Sequence, residues 1–201
     1  MQASIEPLLI DVPTRIETAR LILRSPRQGD GAAVNAAVIA SHHELDKWLP
    51  WAIDLPTLDE SEAHCRRQQA RFILREDLAM FIFAREPDGG EGELLGGTGL
   101  HRIDWALRRF EIGYWRRSGL EGRGIVTEAV RALSRMAFDV LAARRVEVRM
   151  DNDNERSWKV AERAGFTLEA VLRFDSSTPA GEPRSTRVYA RVRGAEEPVG
   201  P

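Results

Sequence analysis

The stretch Gly119-Leu-Glu-Gly-Arg-Gly-Ile-Val-Thr-Glu128 places closely spaced glycines directly before a helical pattern. It follows a strand-like run, Phe110-Glu-Ile-Gly-Tyr-Trp115. Glycine lets backbone N–H groups approach an anion closely, and the first turn of a helix has unpaired N–H donors at the positive end of its dipole. The order of strand, glycine turn and helix therefore predicts a phosphate-binding site.

Two nucleotide-binding patterns can be compared with this turn by their spacing. A P-loop needs Gly-x-x-x-x-Gly-Lys-Ser/Thr, but Gly124 is followed by Ile125-Val126, so the lysine and the magnesium-binding hydroxyl are missing. A dinucleotide fingerprint fits only in part, because Thr127 replaces its third glycine. A turn that only reverses the chain is the remaining structural alternative.

Strand and helix patterns extend outward from the turn in both directions. The apolar positions from Val126 to Leu141 recur every three or four residues, which predicts an amphipathic helix packed on a sheet. The other predicted helices are Asp30–Ala40, His42–Trp48, Asp59–Arg75 with Thr57 as N-cap, and Asn154–Ala164 closed by Gly165. The predicted strands are Arg20–Arg24, Met80–Ala84, Leu94–Ile103, Arg109–Trp115, Arg145–Met150, Phe166–Leu172 and Arg187–Val192. This order predicts an α/β (α+β) fold with a mixed sheet of about seven strands, rather than an alternating doubly wound sheet.

Length and composition indicate one domain. The chain has 201 residues and 43% hydrophobic content, which is enough for one sizeable core. Residues 1–17 are predicted to form an N-terminal arm and the Glu/Pro/Gly-rich residues 195–201 a disordered tail, which leaves residues 18–194 for the domain. No apolar run of about 18 residues and no export-type N-terminus is present, so we expect a cytoplasmic protein with no membrane partner.

Charge is unevenly distributed along the chain. The formal net charge is −2, yet residues 101–150 carry 11 Arg against 6 Asp or Glu. This excess coincides with the glycine turn and favours a small polyanionic ligand over nucleic acid, with a solvated basic face as the alternative.

Thiol and metal chemistry are not expected. Cys65 is the only cysteine, which excludes an intramolecular disulfide and a thiolate metal cluster. His42 and His43 are adjacent, so their side chains diverge, while His64 and His101 have no partner at ligand spacing. The sequence therefore predicts no metal site.

Ordered motifs run through nearly the whole domain. They are Thr18–Arg24, Lys47-Trp-Leu-Pro-Trp51, Gly96-Gly-Thr-Gly-Leu100, Ile112-Gly-Tyr-Trp115, Gly122-Arg-Gly-Ile-Val-Thr-Glu-Ala129, Asn154-x-x-Ser157, Ala164-Gly-Phe166 and Tyr189-Ala-Arg191. Together they resemble the GNAT superfamily of acyl-CoA-dependent N-acyltransferases, most closely the branch of ribosomal-protein N-terminal (RimJ/RimL-type) acetyltransferases. The resemblance implies a mostly antiparallel sheet, splayed in the middle to hold acyl-CoA, with acetyl-CoA as cosubstrate. It also implies a possible homodimer.

The resemblance assigns the pyrophosphate of coenzyme A to backbone amides of the turn. The implied cradle is Gly122, Arg123, Gly124, Ile125, Val126 and Thr127, and the implied contacts on the preceding strand are Trp115, Arg116 and Arg117. One N–H near Tyr114 and Trp115 would polarise the acyl carbonyl. The family's leading Gln/Arg falls on Gly119, which removes a side chain but keeps the backbone donors.

Amide formation from a thioester needs an acceptor for the amine proton and a donor for the departing thiolate. By the resemblance, Glu111 is the leading base, with Asp104 and Asp175 in reserve. The alternative is an ordinary strand carboxylate paired with Arg108 or Arg109.

Asn154 and Ser157 fall where the family contacts the coenzyme arm and sulfur. Both residue types also favour helix N-termini for capping alone, so the two interpretations stay open. Many superfamily members place a tyrosine acid four residues before the glycine of Gly-Phe, and that position is Ala161 here. Ser157 is therefore the candidate donor for the thiolate.

Trp48 and Trp51 lie near the acceptor groove by the same resemblance, with core packing as the alternative. The expected activity is direct transfer of an acetyl group from acetyl-CoA to a primary amine in a ternary complex. The expected amine is the α-amine of a protein N-terminus. The alternatives are acetylation of a small amine such as an antibiotic or polyamine, and a non-catalytic acyl-CoA-binding module.

Overall fold

The computed structural model describes residues 6–178 and 181–195. Within them, one sheet carries two helices on each face. The strands are β1 Arg15–Glu17, β2 Leu21–Arg24, β3 Leu78–Arg85, β4 Glu91–Asp104, β5 Arg109–Arg116, β6 Arg145–Asp151, β7 Thr167–Ser177 and β8 Pro183–Val192. The helices are α1 Gly31–Leu45, α2 Leu58–Ile73, α3 Ile125–Asp139 and α4 Glu155–Arg163, with short 3-10 turns at Pro7–Leu9 and Pro50–Ala52.

The sheet is antiparallel except at one junction. Its strand order is β1-β2-β3-β4-β5-β6-β8-β7. The parallel pair is β5 with β6, and its register covers only Arg109–Glu111 against Arg145–Glu147. Beyond those residues the two strands diverge, so the mostly antiparallel, centrally splayed sheet is confirmed.

The two faces of the sheet bury separate cores. Helices α3 and α4 cover a large cluster that includes Leu133, Phe110 and Val146, each fully buried. Helices α1 and α2 cover a smaller cluster around Ile22 and Phe81. Alternation along each strand sends successive side chains to opposite faces, so β5 contributes to both layers.

Local sequence signals predicted two helix ends correctly. Thr57 is the N-cap of α2, as the sequence predicts, and the structure adds a capping box with Glu60. Gly165 follows α4 with φ of 88°, a left-handed conformation that suits a glycine C-terminal stop. None of the described helices is long and apolar enough to cross a membrane.

Two sequence predictions differ from the structure, and a third is not tested by it. The sheet has eight strands because Arg15–Glu17 pairs with β2, so this part of the predicted arm belongs to the sheet. Three largely exposed residues carry no apolar alternation, which is why the pattern missed them. The predicted break before His42 is wrong, because no Gly or Pro interrupts the chain and α1 continues to Leu45. The predicted tail lies outside the described residues except for Ala195.

Candidate active site

A cleft opens where β5 and β6 separate, and we call it the central cleft. Its volume is about 350 Å³. One wall is residues 111–116 of β5 and the opposite wall is residues 148–151 of β6, while α4 and the end of α1 close its sides. Because two sheet strands form the walls, unpaired backbone groups face the opening.

Strand geometry identifies which backbone groups face the central cleft. Arg145 N donates to the carbonyl of Arg108, and Arg117 N donates to the carbonyl of Leu95 on β4. Backbone groups alternate between the two sides of a strand, so even-numbered residues of β5 point toward β6. The N–H of Tyr114 therefore points into the cleft, as an oxyanion donor must.

The glycine turn lies at the N-terminus of α3. Gly122 and Gly124 both have φ of 72°, a region that L side chains rarely adopt, and Gly124 is the N-cap without a side-chain cap. The first backbone bond of this end is Glu128 N to the carbonyl of Gly124. Among the described residues, the N–H groups from Gly122 to Thr127 therefore have no acceptor, and a β-carbon at Gly122 would meet no atom within 4 Å. These residues fit a pyrophosphate.

Hydrogen bonds from Arg20, in the turn between β1 and β2, stabilise the glycine turn. The Arg20 guanidinium donates to the carbonyl of Arg123 at 2.9 Å and to Glu128 at 2.8 Å. Glu128 also accepts from the Thr18 hydroxyl at 2.6 Å. These hydrogen bonds lower the pKa of Glu128 although its partial burial opposes them. The cradle is thus braced from the β1–β2 turn.

The arginines implied in phosphate binding occupy different surroundings. Arg116 lines the central cleft, and its guanidinium pairs with Glu44 and Glu121. Arg117 pairs with Glu93 of β4 and is not among the residues lining the cleft. Arg123 contributes its backbone to the turn.

Glu111 lies at the closed end of the central cleft, where β5 and β6 begin to separate. Its side chain is 15% exposed, and burial raises its pKa while Arg102 and Arg149 oppose the shift. Arg102 Nη1 lies 3.3 Å from Glu111 Oε2, yet the geometry is not that of a hydrogen bond and Oε2 has no hydrogen-bond partner among the described residues. The partner of this carboxylate is thus Arg102, and neither Arg108 nor Arg109. A buried carboxylate with a free oxygen suits proton abstraction from an amine.

Ser157 faces Glu111's strand from the first turn of α4. Its Oγ lies 3.1 Å from the hydroxyl of Tyr114, and that hydroxyl also lies 3.0 Å from the Ser157 carbonyl oxygen. Asn154 is the N-cap of α4, and its Oδ1 accepts from Ser157 N at 3.1 Å. The capping interpretation of Asn154 is therefore confirmed, while both residues also line the central cleft.

The two tryptophans border different spaces. Trp48 lines the central cleft beside Glu44, with Arg184 5.7 Å from its ring centroid. Trp51 lines a second space of about 560 Å³ between the sheet and helices α1 and α2, which we call the side cavity. The Trp51 ring meets Trp115 edge to face at 6.1 Å between centroids. The two spaces share Leu49 and the β5 residues 113–115.

The reserve carboxylates have structural partners. Asp104 accepts from Leu107 N in the β4–β5 turn, and Asp175 pairs with Arg149 at 2.7 Å. In the part of the chain that the structure describes, no group of three His, Cys, Asp or Glu is arranged to hold a metal ion.

Sequence reasoning missed the Tyr114 side chain and the brace from Arg20. Tyr114 lies between Gly113 and Trp115 in a motif whose backbone alone was assigned a role. Arg20 lies in a strand pattern that indicates only structure. The contacts of both residues span more than 40 positions, so no local spacing could have indicated them.

Comparisons with known proteins identify the family of this chain. Residues 20–167 match the family model described as Acetyltransferase (GNAT) domain. YdaF of Bacillus subtilis (strain 168), named as a ribosomal N-acetyltransferase, is 42% identical over 148 residues, which cover 72% of this chain and 76% of YdaF. The ribosomal-protein-serine acetyltransferase of Escherichia coli (strain K12) is 31% identical over 129 residues, covering 63% of this chain and 69% of the relative.

Solved structures share the fold at lower identity. MccE, a microcin self-immunity acetyltransferase in complex with acetyl-CoA and AMP, superposes with a TM-score of 0.79 at 23% identity, covering 87% of this chain and 93% of MccE. RimL, a ribosomal alpha-N-protein acetyltransferase in complex with coenzyme A, gives 0.77 at 22% identity, covering 90% and 97%. The chain therefore belongs to the GNAT family of acetyl-CoA-dependent N-acetyltransferases.

Proposed function

We propose that this protein acetylates the α-amine of a protein N-terminus by direct transfer from acetyl-CoA in a ternary complex. The observation that carries the proposal is the central cleft, which brings Glu111, Ser157 and the N–H of Tyr114 to one space near the unpaired donors of the glycine turn. The single cysteine, Cys65, lies on the buried face of α2 and does not line this cleft. A covalent acetyl-cysteine intermediate therefore has no support.

Each group has one task in the proposed reaction. Acetyl-CoA supplies an activated acyl group when it is bound. The amides from Gly122 to Thr127 bind its pyrophosphate, and the divergent strands hold its arm. Glu111 accepts a proton from the acceptor amine, the N–H of Tyr114 stabilises the developing oxyanion, and the Ser157 hydroxyl donates to the departing sulfur.

The acceptor class rests on the relatives and on the mouth of the central cleft. The relatives above are named for ribosomal proteins, and one is named for serine. Trp48 lines this cleft, and Arg184 lies against the Trp48 ring while it pairs with Asp151 at 2.9 Å and donates to the carbonyl of Lys47 at 2.6 Å. The ion pair and hydrogen bond hold Arg184 in place, so the aromatic surface of Trp48 is what this side of the cleft offers to an incoming peptide. A cytoplasmic location and a homodimer remain predictions that accompany this proposal.

Acceptor profiling tests the proposal. The purified chain is incubated with acetyl-CoA and a panel of peptides beginning with Ser, Ala or Met, together with spermidine and an aminoglycoside, and products are identified by mass. We expect a mass gain of one acetyl group on the N-terminus of the serine peptide. Modification confined to spermidine or the aminoglycoside would show that the acceptor is a small amine and not a protein N-terminus. Acetyl-CoA binding without any acetylated product would support a non-catalytic module instead.

A further inference from the structure

A carboxylate–imidazole pair lies beside the strand that carries Glu111. His101 of β4 holds Nδ1 at 2.8 Å from Oδ2 of Asp77, the residue just before β3. Asp77 is 7% exposed and its other oxygen has no hydrogen-bond partner among the described residues. An ionised carboxylate only accepts hydrogen bonds, so Nδ1 carries the proton and Nε2 is the basic nitrogen of the neutral ring.

Glycines hold the position of this imidazole. A β-carbon at Gly99 would lie 2.8 Å from His101 Cε1 and 2.9 Å from Nε2. A β-carbon at Gly113 would lie 2.9 Å from Cδ2 and 3.1 Å from Nε2. The ring therefore lies flat over the backbone of β4 and β5, in space that any side chain at these positions would fill. This placement directs Nε2 over Gly113, one of the residues shared by the central cleft and the side cavity.

His101 and Glu111 are direct neighbours across the antiparallel ladder. Their Cα atoms are register partners, so their side chains leave the same face of the sheet with β-carbons about 5 Å apart. Glu111 borders the central cleft, whereas His101 borders the side cavity. Trp51 and His64 also line the side cavity and both are exposed, so this cavity reaches the surface. The side cavity therefore connects His101, the cross-strand neighbour of the buried base, with solvent.

We propose that Asp77 and His101 form the outer half of the proton path, carrying the amine proton from Glu111 to solvent through the side cavity. This inference rests on the proposed function of Glu111 as base. The acceptor ammonium loses a proton to the Glu111 carboxylate, and the resulting carboxylic acid passes that proton through water to His101 Nε2. The imidazolium, stabilised by Asp77, releases the proton to water, which restores neutral His101 and ionised Glu111. In this path His101 acts on the amine only through Glu111 and is therefore a positioning residue.

Other charged groups surround Glu111 and Asp77 and contribute to the pH dependence of the proposed proton path. Arg102 and Arg149 face Glu111 from β4 and β6, together with Glu147. His64 of α2 faces Asp77. Burial raises the pKa of Glu111, so its carboxylic acid does not return its proton readily unless a base stands beside it.

The test compares His101→Gln with His43→Gln, an exposed histidine of α1 outside both cavities. Rates of acetyl transfer to a serine peptide are measured from pH 6 to 9, and acetyl-CoA affinity by titration calorimetry. We expect kcat of His101→Gln to fall about 10- to 100-fold with acetyl-CoA affinity within twofold of wild type. His43→Gln should match wild type. A kcat of His101→Gln within twofold of wild type across this range overturns the relay but leaves the proposed function standing.

Chemical rescue separates proton transfer from packing. The side cavity has room for free imidazole beside the space left in His101→Ala. We expect imidazole to restore at least a tenth of the lost rate, in proportion to its neutral form, and pyrrole to restore none, because pyrrole has the same shape and no basic nitrogen. Equal rescue by pyrrole, or no rescue by imidazole, overturns the relay. A wild-type enzyme that binds acetyl-CoA and acetylates no amine overturns both proposals.

Discussion

The hydroxyl of Tyr114 joins β5 to α4 by lying 3.0 Å from the carbonyl oxygen of Ser157 and 3.1 Å from its Oγ. Burial raises the pKa of Tyr114, so this hydroxyl stays protonated and donates. Its single proton goes to the carbonyl, which makes Ser157 Oγ the donor in the second contact. The rotamer of Ser157 is thereby held until the departing sulfur accepts this proton instead.

Tyr114→Phe should weaken this positioning. We expect kcat to fall about 3- to 10-fold, the value of one neutral hydrogen bond, with acetyl-CoA affinity nearly unchanged. Ser157→Ala should cost more, because it removes the donor itself. Steady-state kinetics on both variants tests the order. A larger loss in Tyr114→Phe than in Ser157→Ala would show that Tyr114 contributes to proton donation directly.

Glu111→Gln should remove the base and keep the fold. We expect kcat to fall about 10²- to 10⁴-fold, with acetyl-CoA binding by calorimetry unchanged. The acid limb of the wild-type rate profile should lie above the ordinary pKa of glutamate, because burial raises the pKa of Glu111. Asp104→Asn, in the β4–β5 turn, is the matched carboxylate control. An unchanged rate profile in Glu111→Gln would assign the base elsewhere.

The same pKa shift has a consequence for stability. A carboxyl whose pKa is higher in the folded state than in the unfolded state binds its proton more tightly when folded, so the folded protein loses stability as pH rises through the folded pKa. Glu111→Gln should therefore melt at a higher temperature than wild type at pH 8. The gain should shrink to nothing below about pH 4, where glutamate is protonated in both states. Thermal melts at both pH values test the sign.

Gly122→Ala should lower acetyl-CoA affinity more than it lowers stability. The φ of 72° strains any L residue by about 1–2 kcal/mol, and the added methyl group enters the space beside the unpaired N–H donors. Gly89→Ala carries the same strain, since Gly89 has φ of 84° and open surroundings in the β3–β4 turn. We expect calorimetry to show at least a tenfold loss of affinity for Gly122→Ala and none for Gly89→Ala. Equal affinities would remove this turn from the coenzyme site.

Cys65 should be inert in the folded protein. It lies on the buried face of α2, and burial raises the pKa of its thiol to about 12. Because the thiolate is the reactive form, a thiol-specific chromogenic reagent at pH 8 should release less than a tenth of one equivalent from native protein. The same protein in denaturant should release one equivalent. Fast reaction of native protein would mean that α2 opens locally.

Features that depend on nearest neighbours along the chain were predictable. The helical period after Val126, the N-cap at Thr57 and the stop at Gly165 depend on contacts within a few residues, and each was confirmed. The short strand Arg15–Glu17 was not predictable, since its pairing with β2 stabilises it and its composition does not.

Sequence by itself determined most elements of this protein, and its ordered motifs indicated the donor through their resemblance to the GNAT superfamily, because the glycine turn and the start of α3 form one continuous segment that can hold a pyrophosphate. Tertiary structure alone decided how the site is completed. The register of β5 with β6 ends at Glu111, the Arg20 brace reaches Arg123, and Asp77 reaches His101, all across contacts far apart in sequence. Strand register and side-chain packing are set by the whole core at once, so no local pattern encodes which distant side chains meet at the cleft.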